Sequence, residues 1–223
     1  MTPRPLGSRR RPTTSYRAIT FLLLLTSTSA CAVLGQGEGD VHSDALKAES
    51  CWDGTFDLAP DFFGAIPFRE TLQIRVQRGS DLQGVSDGLE VLVTELSSLR
   101  ETELGKPIEV GLAPQLLSAI APGLALGAAP RISMSLYLQN SCHSQNVILY
   151  GLSGSITFAA LFSGDPNESV GSEKLSDATF DVLMADPRDA IPGTVDVPAA
   201  KTSRVTGHFK FHFQRGQPGQ PFP

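Results

Sequence analysis

The stretch "RVTGHFKFHFQR", residues 204–215, alternates between two kinds of side chain. Val205, Phe209, Phe211 and Phe213 fall on one side, and Thr206, His208, Lys210 and His212 on the other. Successive side chains of a β-strand point to opposite faces, so a period of two describes a strand with one buried and one wet face. The same rhythm runs through "ETLQIRVQR" (70–78), "RISMSLYLQN" (131–140), "GSITFAALF" (154–162) and "SDATFDVLMAD" (176–186). Shorter candidates are Trp52 to Leu58, Leu89 to Thr94, Ile108 to Leu112 and Val147 to Leu152. Turn-rich segments such as "GDPNESVGS" and "ADPRDAIPGT" separate these runs. Two stretches read as helical: Leu96 to Leu104, expected as an exposed turn or two, and "APQLLSAIAPG" (113–123). Neither is long enough to cover a parallel sheet through βαβ crossovers. The expected fold is therefore all-β and mainly antiparallel, a β-sandwich or partly closed barrel with one or two short helices.

The front of the chain has a different character. Arg4, Arg9, Arg10, Arg11 and Arg17 precede the apolar run Ala18–Leu25, and the small, polar residues 26–30 follow it. This is the layout of an export signal, expected over residues 1–30. Eight residues cannot cross a bilayer core that needs about 20 in a helix. Cys31 stands just past the run, behind Ser29 and Ala30. That arrangement resembles the lipobox of bacterial lipoprotein precursors, although Thr28 occupies the position where leucine is usual. The resemblance implies a diacylglycerol on Cys31, which would be the chain's membrane contact. Ala32, in place of aspartate, implies sorting to the outer membrane. The alternative is ordinary cleavage after Ala30 or Ala32, giving a periplasmic or secreted protein.

Residues 31–50, "CAVLGQGEGDVHSDALKAES", show no sustained apolar face and read as a flexible tether. Residues 51–223 then form one β-rich domain. Cys51 and Cys142 remain as an even pair in an oxidising compartment, and a disulfide between them is expected. Loss of residues 1–30 removes five arginines and no acid, moving the net charge from −5 to −10. An acidic body without a basic patch argues against a nucleic-acid partner.

Motifs of catalysis are weak. "GLSGS" falls short of the nucleophile elbow and lies between strands, so Ser153 reads as a turn residue. His208 and His212, four residues apart on one strand face, stand about 13 Å apart, too far to share a metal. His143 reads as a loop residue. Asp165, Asn167, Glu168 and Glu173 supply hard oxygens without EF-hand spacing and read as a turn. Asp186, Arg188 and Asp189 read as a turn with a local ion pair. No cofactor or metal is expected. In "APDFFGAIPF", Phe62, Phe63 and Phe68 are candidates to line the mouth of an apolar-ligand cavity. The competing expectation is a loop folded across an open end of the sheet as a plug.

The C-terminal segments "SLYLQNSC", "FDVLMADPRD" and "VTGHFKFHFQRGQP" resemble uncharacterised bacterial lipoproteins and secreted β-domain proteins of similar length. That resemblance implies no activity. The expected role is a non-enzymatic, lipid-anchored binding or structural module of the cell envelope. The alternatives are a barrel carrying a lipid or other apolar ligand and, behind it, a hydrolase.

Overall fold

The computed structural model describes residues 37–79, 86–113, 116, 128–143, 145, 147–192 and 194–214, and ten strands run through them. They are β1 (Gly37–Ala48), β2 (Trp52–Leu58), β3 (Phe62–Phe68), β4 (Thr71–Arg78) and β5 (Asp87–Thr94), then β6 (Pro107–Glu109), β7 (Ile132–Leu138), β8 (Ile148–Ala160), β9 (Leu175–Ala185) and β10 (Ser203–His212). All pair antiparallel in one sheet of order β2-β1-β10-β9-β8-β7-β5-β4-β3, with β6 joined to the second half of β8.

The order of the strands forces the sheet to curl. β2 and β3 occupy its opposite ends, yet only residues 59–61 separate them in the chain. Four Cα steps reach at most about 15 Å, whereas nine strands laid flat would spread about 38 Å. The sheet therefore bends into a half-barrel. Phe63 of β3 stacks on Phe211 of β10 at 5.9 Å between ring centres, closing contact across the interior. One continuous core fills the concave side and draws on every strand. Phe158, Phe162 and Phe209 are completely buried there. Each such side chain contributes about 1.5–3 kcal/mol by leaving water.

Strand β1 corrects the expectation of a tether. Gly37–Ala48 is a strand with partners on both sides, Gly37–His42 against β10 and most of its length against β2. Its apolar alternation is broken by a bulge between Ser43 and Leu46, which shifts Leu46 into the core register. The glycines that suggested flexibility meet a steric demand: a Cβ on Gly37 would stand 2.6 Å from the Phe63 ring and 2.8 Å from Phe211 Cβ.

The phenylalanine-rich segment is likewise a strand, not a plug. β3 carries Pro67 at the end of the sheet order, where a missing N–H costs no ladder bond. Helix α1 (Leu96–Thr102) is more than an exposed turn. It buries Leu96 and Leu99, and Glu70 receives the backbone N–H groups of Leu96 and Ser97 at its start. The second expected helix, residues 113–123, lies outside the described residues apart from Ala113 and Leu116, as do the proposed signal segment and Cys31. No helix among the described residues is long and apolar enough to cross a membrane.

Candidate functional site

Cys51 closes the turn between β1 and β2, where its N–H donates to the Ala48 carbonyl at 3.0 Å. Ser50 takes the left-handed conformation, with φ 62°, to make that turn. Cys142 lies in the turn after β7, and the two cysteines form a disulfide with 5.8 Å between their Cα atoms. The bridge thus ties one edge of the sheet to its middle across the end of the half-barrel. The Cys142 turn is organised by Asp87, a buried carboxylate that accepts from the Asn140 and Ser141 N–H groups, both at 3.0 Å, and from the Ser141 hydroxyl at 2.6 Å.

Beside the bridge is an open depression of about 460 Å3. Lys47, Glu49, Trp52, Asp53, Asp189 and Lys201 line it. Lys201 Nζ stands 3.3 Å from Asp189 and 3.4 Å from Glu49, and Lys47 pairs with Asp53. Asp189, and after it Glu49, holds the Lys201 ammonium above the usual lysine range. The Trp52 indole N–H donates to the Thr55 carbonyl at 3.2 Å, and its ring meets the edge of Phe56 at 5.4 Å. These groups come from the end of β1, the β1–β2 turn and the start of β2, and from two short 3-10 turns, Pro187–Asp189 after β9 and Ala199–Lys201 before β10. The sequence marked Asp189 only as a member of a local turn. The local ion pair is that of Asp186 and Arg188, with Arg188 Nε 2.9 Å from each Asp186 oxygen, while Asp189 reaches to Lys201 instead.

No family model, curated protein or solved structure matches this chain. Its residues alone carry the functional argument.

The three phenylalanines do not converge on one cavity. Phe63 points into the core, Phe62 is buried on the opposite face, and Phe68 is 67% exposed beneath the Arg69 guanidinium. Inside the half-barrel, where a carried apolar ligand would sit, Phe158 and Phe209 pack edge to face at 6.5 Å, both without exposed surface.

The other candidates disperse as well. Ser153 sits within β8 at a bulge, opposite Leu183, and not in a turn. His143 and His212 are exposed, and His208 pairs with Asp40 on the outer face, each about half exposed. In the acidic loop, Asp165 accepts from the Asn167 N–H and Glu168 from the Ser169 and Val170 N–H groups, all at 2.8 Å. Those bonds, the Val170 bond foremost, pull the Glu168 carboxyl below its usual range. Glu173 is taken by Arg100. No group of three or more metal-type side chains is assembled among the described residues.

Sequence reasoning missed His42 by placing it in a tether. Its Nδ1 lies 2.6 Å from Asp57 and its Nε2 3.1 Å from Asp44. A neutral ring can donate from only one nitrogen, whereas the imidazolium donates from both. The Asp57 bond, and after it the Asp44 bond, raise its pKa above 6.5.

Proposed function

We propose that this chain is a lipid-anchored protein of the cell envelope whose folded body is a non-enzymatic binding or structural module. The observation that carries this reading is the run from Arg4 to Cys31, a basic start, a short apolar segment and a small pair before a cysteine. The Cys51–Cys142 bridge supports it, because such a bond persists in an oxidising compartment. The module reading is favoured over a hydrolase by the histidine–carboxylate pairs. His42–Asp57 and His208–Asp40 stand on the outer face of β1, β2 and β10, where water competes for every charge.

Mass spectrometry of protein extracted from membranes tests the anchor. Diacylglycerol on an N-terminal Cys31 is expected, and a mature terminus at Val33 refutes it. Cys31→Ser should release the body to the soluble fraction.

A further inference from the structure

We infer that the depression beside the Cys51–Cys142 bridge is a saccharide-binding site, with Trp52 as the stacking surface and the ion-paired groups around it as hydroxyl ligands. The inference rests on the reading of the body as a binding module and does not depend on the lipid at Cys31. Its volume of about 460 Å3 falls within the roughly 300–1,000 Å3 range of small-molecule sites.

The lining chooses among ligand classes. A phosphate or other polyanion would meet Glu49, Asp53 and Asp189 against only Lys47 and Lys201. An apolar ligand would strip water from five charged groups and give them no hydrogen bonds in return. A pyranose fits both features. One face of the ring is apolar C–H and suits an indole, and its hydroxyls both donate and accept. Each ammonium here already stands beside a carboxylate, so a hydroxyl can accept from the first and donate to the second.

The site is also built before any ligand arrives. Asp189 is only 9% exposed and sits on a 3-10 turn, so its carboxylate needs little further ordering. The Trp52 ring is held by its N–H bond to Thr55 and by Phe56, and the neighbouring Cys51 is pinned by the disulfide.

Trp52 is the single tryptophan of the chain, so its fluorescence reports on this site alone. The processed protein should be titrated with chitotetraose, cellotetraose and maltotetraose, and with glycylglycine as a zwitterion that is not a sugar. A saturable emission change is expected with at least one tetrasaccharide and none with glycylglycine. Lys201→Met and Asp189→Asn should each weaken that binding about tenfold or more. Should Asp189→Asn fail to fold, Lys201→Met decides, because its side chain is 43% exposed and its loss spares the core. The inference is overturned by no saturable change up to about 10 mM of any tetrasaccharide. A response to glycylglycine, or unaltered affinity in folded Lys201→Met, overturns it equally. Sugar binding by protein that lacks diacylglycerol would remove the anchor and leave this site standing.

Discussion

Tyr137 shows how much one outward-facing side chain can organise. It lies in register with Gly88 and, through it, with Gln77, so three adjacent strands meet beneath its ring. A Cβ on Gly88 would come within 2.6 Å of Gln77 Cβ and would strike the phenol as well. The Tyr137 hydroxyl donates to Gln77 Oε1 at 2.7 Å, and the Gln77 amide donates to the Gly79 carbonyl at 2.7 Å. Burial pushes the Tyr137 phenol well above its usual range, so it stays a neutral donor throughout the ordinary pH range. Tyr137→Phe removes that donor and leaves Gln77 Oε1, in a residue only 3% exposed, without this partner. The expected loss is about 1–2 kcal/mol, read from the midpoint of urea unfolding at unchanged slope. His42 gives a second residue-scale expectation. A raised folded pKa means that its pairing stabilises the fold fully below the unfolded value of 6.5. That contribution is lost as pH rises through the folded pKa. Ring-proton titration by NMR should show the raised value, and Asp57→Asn should return it toward 6.5; an unchanged curve would show that the carboxylate is not its cause.

Among the elements, the alternating runs were legible because a half-buried strand writes its two faces directly into the sequence. β4, β7, β9 and β10 have that form, with Leu72, Ile74 and Val76 inward between Gln73, Arg75 and Gln77. β1 was not legible. Its inward positions include Gly37, where a Cβ would meet Phe63 and Phe211, and Gly39, where a Cβ would meet the His208 carbonyl and the Phe209 backbone, and a bulge resets its period. β3 was hidden by Pro67 and Gly64, which a central strand would exclude and an edge strand accepts. The candidate site was legible only in its cysteines. Trp52, Asp189 and Lys201 are brought together by sheet register over about 150 residues, which local pattern cannot report. The disulfide has its own expectation at this scale. With the cysteines 91 positions apart in sequence, loop entropy assigns the bridge about 4–5 kcal/mol. Cys51→Ser with Cys142→Ser should lower stability by that order in denaturant unfolding. A loss below about 1 kcal/mol would mean the unfolded chain is already constrained there.

For the whole molecule, the decisive question is where the folded body starts. The sheet order runs β2-β1-β10, so among the described residues β2 has no ladder partner except β1, and β10 loses its neighbour on that side once β1 is gone. A chain cut at Cys51, the start suggested by composition, would lose Val41, Leu46 and Ala48 from the core and both ladders of β1. The apolar loss alone is several kcal/mol at about 1.5–3 kcal/mol per large side chain, against a typical total of about 5–15 kcal/mol. Phe56 and Leu58 of β2 would follow, because an unpaired strand cannot hold them against the core. A chain starting at Gln36 keeps β1 whole and should unfold in one cooperative transition. The chain starting at Cys51 should show no such transition and should expose apolar surface that binds a hydrophobic dye. Both carry Cys51, Cys142 and all of β2 to β10, so a difference between them isolates β1. Equal stability of the two would return residues 37–48 to the status of a tether and remove the steric reason given for Gly37.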